Sequence, residues 1–389
     1  MLKKFNPEKT RYLKAINVGI NLLFHTPKAH KRIEWSNVQR ILVIDFTGIG
    51  DLVMLTSFLR ILKNNAENAT IDLLCAFYGE AVLGDQGLIG QFYKFDARKY
   101  ISSPRGFIKN RKKVKALLAR INQTEYDVAI EPRGDLRFIF LLAFIHSNRK
   151  ISYNYTGGEG ILTDIVLPSE SVKHLLEDKL FLLKEIGCVY STEEQYPEFK
   201  NRFERNGERE SVEEYNQPDN RPIVGIHPGA GNPIRMWPWY GELLETMYSE
   251  NKEQLFFLFE GPGEKEAVDR AAKHALKAGA DFRIIHKKLE EYKKMISICD
   301  VMICNDSGAA HISAAYGVPT IVIFGCNPPE FSCPVGKGKF SFLSLDLPCK
   351  PCLSDTCLTG RLDCIYGIKV NDVKRAVEEI YQYGICKEE

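Results

Sequence analysis

The chain has 389 residues, of which 44% are hydrophobic and 26% are charged, and its formal net charge is +2. This length exceeds what one ordinary hydrophobic core accommodates, so we expect two domains in a globular protein. The small net charge argues against a nucleic-acid-binding protein, and no apolar run approaches the roughly 18 residues that a membrane span requires.

Residues 1–39 form a basic N-terminal extension ahead of the first predicted strand. Residues 1–40 hold nine Lys/Arg and two Glu, a net charge of +7, whereas the remainder holds 43 Lys/Arg and 48 Asp/Glu, a net charge of −5. Apolar residues at helical spacing predict an amphipathic helix from Lys3 to Phe24. This helix would either lie on an anionic membrane surface or pack on its domain, and the sequence leaves both open. No signal peptide is recognisable, because the apolar stretch is short and lacks a cleavage site, so we expect a cytoplasmic protein.

The first domain is predicted between residues 40 and 190. The apolar run Arg40–Phe46 is typical of a buried parallel strand, and Thr47–Asp51 turns the chain into a helix from Leu52 to Lys63. Further along we predict strands at Ile71–Cys75 and Asp127–Ile130 and helices at Lys109–Ile121, Leu136–Ile145 and Val172–Ile186. This alternation indicates an α/β domain with a parallel sheet.

A charged segment, residues 191–220, is predicted to link this domain to a second one at residues 221–389. The predicted strands of the second domain are Ile223–Ile226, Leu255–Phe259, Phe282–Ile285, Val301–Cys304 and Thr320–Phe324. The predicted helices are Trp239–Ser249, Lys265–Leu276, Leu289–Cys299, Ser307–Tyr316 and Asn371–Tyr383. The α/β pattern therefore occurs twice in the chain.

Glycines follow several strands of the second domain at the edge where open α/β sheets bind ligands. Four strand ends carry this pattern, at Gly229 and Gly231, at Gly261 and Gly263, at Asp306-Ser307-Gly308, and at Gly325. Glycine lets an anion approach the backbone closely, and a helix start offers free N–H groups and a positive dipole end. The pattern predicts a nucleoside-diphosphate site, although Asp306 or Ser307 alone would also fit a simple helix N-cap.

Four other side chains of this pattern have two interpretations each. Asp51 lies at the start of a helix, where it would stabilise the helix dipole or act as a general base. Arg235 would neutralise a leaving diphosphate without a metal, or form a surface salt bridge. His227 and His311 would contact phosphate or ribose, or be structural.

Cysteines cluster late in the chain, at Cys349, Cys352, Cys357 and Cys364. Four thiols fit tetrahedral zinc or an iron–sulfur cluster by count, but their spacing matches no standard zinc finger. We therefore predict no metal site, with these four residues as the ligands if zinc is bound.

Three of these stretches together resemble the heptosyltransferase family of glycosyltransferases, glycosyltransferase family 9. They are Arg40–Asp51, Gly225–Pro238 and Asn305–His311, the last followed by Gly317-Val318-Pro319 and Phe324-Gly325. The resemblance covers roughly residues 40–385 and implies a GT-B architecture, with two Rossmann-like domains whose parallel sheets face across a cleft. It implies an acceptor on the first domain and a sugar nucleotide on the second.

The resemblance also implies residue roles in an inverting, metal-independent transfer. Asp51 matches the family's proposed base, and Gly48 and Gly50 belong to the same motif. Asp306, Ser307, Gly308 and His311 match positions that hold the donor, as do His227, Gly229 and Gly231 in the nucleotide loop. Glu264 matches an acidic residue that contacts the nucleoside or sugar, with Glu266 as the alternative. Members of the family often have Lys in place of Arg235. The resemblance therefore does not by itself imply that Arg235 binds the diphosphate.

The expected reaction moves heptose from ADP-heptose to a lipopolysaccharide-core or other lipid-linked saccharide, without a cofactor. Arg133 and Asp135, after the strand Asp127–Ile130, are further acceptor-site candidates. The basic N-terminus would give peripheral contact with the inner face of the cytoplasmic membrane. The alternatives are a sugar-nucleotide epimerase of similar build, an inactive nucleotide-binding relative, and a metalloprotein centred on the cysteines.

Overall fold

A computed structural model gives the structure of residue 5 and of residues 7–29, 31–101, 103–200, 221–352 and 356–385. The chain divides into two compact units, Met1–Gln195 and Tyr196–Glu389. Most of the predicted linker, residues 201–220, lies outside the described residues, so the linker stays a prediction. Within the described ranges, no helix is long and apolar enough to cross a membrane.

The first unit is built on a six-stranded parallel sheet in the order β3-β2-β1-β4-β5-β6. Its strands are β1 Arg40–Asp45, β2 Thr70–Cys75, β3 Phe92–Lys94, β4 Tyr126–Glu131, β5 Ser147–Tyr153 and β6 Asp164–Val166. Its helices are α1 Pro7–Leu23, α2 Ile49–Asn65, α3 Gly79–Leu83, α4 Ala97–Tyr100, α5 Pro104–Lys109, α6 Arg111–Ile121, α7 Leu136–Leu142 and α8 Leu175–Glu185. The central strands are the ones whose sequences are continuously apolar, because helices cover both faces.

Two predicted helices of this unit differ from the structure in ways that matter for the site. The helix after the glycine turn begins at Ile49 rather than Leu52, so Gly50 and Asp51 lie in its first turn. The helix predicted over Lys109–Ile121 is α6, which begins at Arg111, and it follows a short helix, α5, that was not predicted and ends at Lys109.

Helix α1 is packed into the first unit. Leu13 and Ile20 are buried in the same hydrophobic cluster as residues of β1 and α7. The Asn17 side chain accepts a hydrogen bond from the backbone N–H of Gly158 at 2.7 Å, and Asn21 accepts one from Gly160 at 2.9 Å. Of the two alternatives that the sequence left open, packing on the domain is the one that the structure shows. The predicted start at Lys3 lies outside the described residues.

The second unit contains another six-stranded parallel sheet, in the order β12-β11-β10-β7-β8-β9. Its strands are β7 Ile223–His227, β8 Leu255–Phe259, β9 Phe282–Ile285, β10 Val301–Asn305, β11 Thr320–Phe324 and β12 Phe340–Ser344. Its helices are α9 Tyr240–Glu250, α10 Lys265–Ala278, α11 Leu289–Ser297, α12 Gly308–Ala315, α13 Pro329–Ser332, α14 Asp363–Tyr366 and α15 Val370–Ile385. Two parallel α/β sheets confirm the predicted fold class.

Candidate active site

The glycine turn of the first unit leaves open space around Gly48. Gly48 precedes α2 with an extended backbone, and a Cβ atom added there would meet no atom within 4 Å. Asp51, in the first turn of α2, is half-buried. The turn therefore places a carboxylate beside an unfilled surface at the carboxyl end of β1, which is the edge where ligands bind in this class of fold.

A buried ion pair fixes the strand that leads into this turn. Lys179 Nζ of α8 lies 2.7 Å from Asp45 Oδ2 at the end of β1, and both side chains are buried. The other carboxylate oxygen, Oδ1, accepts hydrogen bonds from the backbone N–H and the hydroxyl of Thr47. Burial opposes ionisation of Asp45, but the charge and hydrogen bond of Lys179, with Thr47, outweigh it and lower its pKa. No sequence pattern indicated this pair, because its members are 134 residues apart.

A second buried carboxyl group, that of Glu131, ends the neighbouring strand β4. Its Oε2 accepts hydrogen bonds from Gly134 N–H at 2.6 Å and from the Ser152 hydroxyl at 2.8 Å. Its Oε1 has no hydrogen-bond partner in the described part of the chain. Burial and the nearby charge of Asp135 raise the pKa of Glu131 to about 7.

Asp135, predicted as an acceptor-site residue, is completely buried and already engaged. Its carboxylate accepts the Arg137 backbone N–H at the start of α7 and also binds the Arg137 guanidinium, with Oδ1 2.8 Å from Nε. Asp135 therefore caps α7 and holds Arg137, whose side chain is partly exposed. The guanidinium of the other candidate, Arg133, lies 5.5 Å from the centre of the Phe5 ring.

In the second unit, His227 joins three strand ends through its two ring nitrogens. Its Nε2 lies 2.8 Å from Glu264 Oε2, and its Nδ1 lies 3.2 Å from the Ser307 hydroxyl. His227 ends β7, Glu264 follows β8 and Ser307 follows β10. The sequence placed these residues at the same edge of a sheet, and the structure brings them into direct contact.

Two of the glycines make room for Glu264. A Cβ atom on Gly229 or on Gly261 would lie under 3.0 Å from the Glu264 carboxyl group. The same carboxylate accepts a hydrogen bond from the Gly261 N–H at 2.9 Å. Burial opposes its ionisation, but the hydrogen bond and charge of His227, with the Gly261 N–H, hold its pKa below the usual value. Gly231, by contrast, has open space where a Cβ would be, as a ligand contact requires.

Asp306 and Arg235 form the next part of the site. Asp306 Oδ2 accepts a hydrogen bond from Asn327 at 2.8 Å and lies 3.4 Å from Arg235 Nη1. Arg235 keeps a partly exposed side chain. The Asn305 side chain donates to the carbonyls of Pro228 and Gly229 at 3.0 and 2.9 Å, which anchors the loop after β7 to β10. The sequence placed the neighbouring Gly325 at this edge of the sheet, but it did not single out Asn327, two residues further along.

The start of α12 has no side-chain cap. Ser307 precedes the helix with an extended backbone, but its side chain accepts no hydrogen bond from the first-turn N–H groups. The simple N-cap that the sequence allowed is therefore not formed. Gly308 is the first residue of α12, and His311 is buried within it. The free N–H groups and the positive dipole end favour an anion at this point.

The late cysteines are the candidate metal ligands that the sequence offered. Cys349, Cys352 and Cys357 are partly exposed thiols, and Cys364 is a buried one. In the ranges that the structure describes, no group of three or more His, Cys, Asp or Glu side chains is placed to hold a metal ion. Metal binding by this cluster therefore stays a hypothesis from the sequence.

Comparisons with known proteins find relatives that are named heptosyltransferases, as the sequence motifs led us to expect. Lipooligosaccharide heptosyltransferase 2 of Campylobacter jejuni is 28% identical over 166 residues, which are 42% of this chain and 51% of that protein. The chain thus spans about half the length of this relative. Lipooligosaccharide heptosyltransferase 2 of Haemophilus influenzae is 23% identical over 308 residues, which are 76% of this chain and 86% of that protein.

A solved heptosyltransferase structure also matches the fold. The solved structure of the ADP-heptose lipopolysaccharide heptosyltransferase II of E. coli matches with a TM-score of 0.72 and 18% identity, over 90% of this chain and all of that one. At this identity the likeness confirms the fold. The profile of glycosyltransferase family 9 (heptosyltransferase) matches residues 114–362, which is more than half of the chain. The chain belongs to glycosyltransferase family 9.

Proposed function

We propose that this protein is an inverting, metal-independent glycosyltransferase that moves heptose from ADP-heptose to a lipopolysaccharide-core or other lipid-linked saccharide. The observation that carries the proposal is the uncapped start of α12, with Arg235 and Ser307 beside it. The names of the relatives supply the sugar and the acceptor class, and family membership does not favour an epimerase.

The donor diphosphate binds at the start of α12. The first-turn N–H groups supply hydrogen bonds and a partial positive charge, and the Arg235 guanidinium supplies a full one. Asp306 holds that guanidinium through the contact at 3.4 Å, and Asn327 holds the Asp306 carboxylate through its hydrogen bond at 2.8 Å. Charge that develops on the leaving diphosphate is neutralised by these fixed donors, so the transfer needs no metal ion.

The His227 group orients the donor beside the diphosphate. Glu264 holds the His227 ring at one nitrogen, which leaves Nδ1 to share a proton with the Ser307 hydroxyl. A ribose or sugar hydroxyl that binds here replaces or joins the Ser307 contact. Gly231, with its open surroundings, and Gly308, at the helix start, let the ligand approach the backbone. His311 supports the group from within α12.

Asp51 acts as the general base on the acceptor. Its carboxylate takes the proton of the acceptor hydroxyl while that oxygen forms a bond to the anomeric carbon of the sugar. The bond between this carbon and the diphosphate oxygen breaks, and the electron pair leaves with ADP. Attack from the face opposite to the leaving group inverts the anomeric centre. The open surface around Gly48, with Gly50 in the adjoining helical turn, accommodates the acceptor.

Arg137 and Arg133 recognise the acceptor's anionic groups. Asp135 contributes through Arg137, because its own carboxylate is buried and engaged with that guanidinium. An arginine held in this way is suited to phosphate or carboxylate groups on a saccharide core. The lipid part of such an acceptor lies in the membrane, so the enzyme works from its cytoplasmic surface, with the basic N-terminus in contact with it.

The test combines ligand binding with turnover. ADP and ADP-heptose are expected to raise the melting temperature of the wild-type protein, and EDTA is expected not to change that shift. Asp51→Asn should keep the shift and lose transfer by at least about 100-fold. Arg235→Met should lose most of the shift as well. Glu290→Gln is the matched control, because it also removes a carboxylate from the first turn of a helix, in this case an exposed one.

Each part of the proposal fails on a different result. No shift with any nucleotide would overturn the donor site at α12. A shift that disappears with EDTA would overturn the metal-independent mechanism. Full transfer activity in Asp51→Asn would show that another group is the base.

A further inference from the structure

Four phenylalanines from three helical segments of the first unit meet in one cluster. Phe24 follows α1, Phe107 belongs to α5, Phe140 belongs to α7 and Phe144 follows α7. Phe140 lies 6.0 Å from Phe24, 5.3 Å from Phe107 and 5.3 Å from Phe144, measured between ring centres. The cluster therefore joins the end of α1 to a part of the chain more than eighty residues away.

Large apolar side chains at the edge of this cluster are exposed to solvent. The exposed fractions are 75% for Leu22, 79% for Leu23, 62% for Ile108 and 39% for Phe144. The first two adjoin Phe24 in the chain, and Ile108 adjoins Phe107. We call these four residues the phenylalanine-cluster patch. Scattered exposed apolar residues are ordinary, but a group that converges on one point marks an interaction surface.

The chain segments that carry Leu22, Leu23 and Ile108 are rich in positive charge. Residues 97–124, which include α5 and α6, hold nine Lys/Arg and no Asp/Glu. Residues 9–33, which include most of α1, hold six Lys/Arg and no Asp/Glu. Helix α6 buries Val114, Leu117 and Ile121, so its basic side chains Arg111, Lys112 and Lys115 are exposed.

We propose that the phenylalanine-cluster patch and the basic residues of α5 and α6 form one docking surface for an anionic lipid bilayer. The apolar side chains enter the interface, and the lysines and arginines contact lipid headgroups. This inference rests on the proposed function, since a lipid-linked acceptor requires an enzyme at the membrane. It assigns the contact to a folded surface shared by α1, α5, α6 and α7, rather than to the N-terminal segment alone.

The charge pattern favours a bilayer over other occupants. A second copy of the chain would bring two surfaces of the same sign together, which like-charge repulsion opposes. A nucleic acid would match the charge but gives no place for four exposed apolar side chains. An anionic bilayer satisfies both features at once, because its headgroups are negative and its interior is apolar.

Vesicle binding of the full-length protein tests the proposal. Sedimentation with phosphatidylcholine vesicles is compared with sedimentation with vesicles that also contain phosphatidylglycerol. We expect wild-type protein to bind the anionic vesicles, and the triple variant Leu22→Gln, Leu23→Gln, Ile108→Gln to bind them at least tenfold more weakly. Lys109→Gln with Arg111→Gln and Lys112→Gln should have a similar effect. All six side chains are exposed, so the variants keep the fold.

The control carries the same kinds of change on a helix of the second unit, as Lys273→Gln with Leu276→Gln, both on exposed residues of α10. It should bind anionic vesicles within twofold of wild type. Transfer to a water-soluble acceptor lacking lipid should be unchanged in every variant. If wild-type protein binds anionic vesicles but neither it nor any variant transfers sugar, the result counts against the proposed function and not against the docking surface.

Three results would overturn the docking surface itself. The first is that both triple variants bind anionic vesicles as strongly as wild-type protein does. The second is equal binding of wild-type protein to neutral and anionic vesicles. The third is evidence for another occupant. A change of oligomeric state in the patch variant would assign the surface to a second copy of the chain. Tight binding of RNA by wild-type protein that the charge variant loses would assign it to nucleic acid.

Discussion

Replacement of Glu131 by glutamine is expected to change how the stability of the first unit depends on pH. The carboxyl group is fully buried, and burial together with the charge of Asp135 raises its pKa to about 7 from an ordinary value of 4.5. Glutamine keeps an oxygen that accepts from Gly134 and Ser152, but it has no charge at any pH. Glu131→Gln therefore resembles the protonated acid.

The size of the effect follows from the two pKa values. Below pH 4.5 the carboxyl group is protonated in both the folded and the unfolded state. Between pH 4.5 and 7 the unfolded chain releases the proton while the folded chain keeps it, so the free energy of unfolding falls as pH rises. At about 1.4 kcal/mol per pH unit, this interval removes about 3 kcal/mol, and the loss is complete above pH 7.

Urea titrations read by pulsed hydrogen exchange of β4 peptides would measure this difference. At pH 8.5 the Glu131→Gln variant should be about 3 kcal/mol more stable than wild type, and at pH 5 less than about 1 kcal/mol more stable. Glu125→Gln is the matched control. Glu125 directly precedes the same strand, and its side chain is exposed and paired with His146, so the control should follow the wild-type pH dependence.

A constant difference between Glu131→Gln and wild type from pH 5 to 8.5 would refute the reasoning. It would mean that Glu131 ionises near its ordinary pKa, and that the unpartnered Oε1 is solvated in the folded protein.

Two further substitutions test contacts that hold the sites. Gly229→Ala should destabilise the second unit by about 1–3 kcal/mol, because the added Cβ overlaps the Glu264 carboxyl group. Gly231→Ala has open space around the added Cβ and should change stability by less than about 0.5 kcal/mol. Thermal denaturation compares the two variants, and equal losses of stability would contradict the overlap. Lys179→Met should cost about 3–5 kcal/mol by leaving the Asp45 carboxylate buried without its partner. Adding Asp45→Asn should recover part of that loss in urea unfolding, and strictly additive losses would contradict the pairing.

Most of the strands that the sequence predicted lie in the middle of the sheets, and β9, at an edge of the second sheet, is an exception. β1, β7 and β10 are continuously apolar because both faces are covered. β5 escaped prediction because it begins with polar residues, and β12 because it lies at a sheet edge and is only partly buried. Helix α5 was missed because its six residues are too few to show a helical period, and the prediction includes only its last residue, Lys109.

The candidate site was predictable as an edge but not as a set of contacts. His227, Glu264 and Ser307 each come shortly after a predicted strand, which placed them at the carboxyl ends of parallel strands, where the structure has them. The sequence could not show that Glu264 fills the space left by Gly229, because this depends on loop paths across two strand ends. Asp135 illustrates the opposite error, since a polar residue after a strand was predicted to contact a ligand and instead holds Arg137.

The close approach of Glu264 to Gly229 and Gly261 also constrains how this nucleotide loop varies among related chains. The two glycines and the carboxylate fill one volume, so a methyl group gained at either glycine must be matched by a shorter side chain at position 264. Substitutions at these three positions should therefore appear together in related chains, as correlated pairs. A homologue with alanine at the position of Gly229 and aspartate at that of Glu264 would have kept the volume constant and moved the charge away from His227.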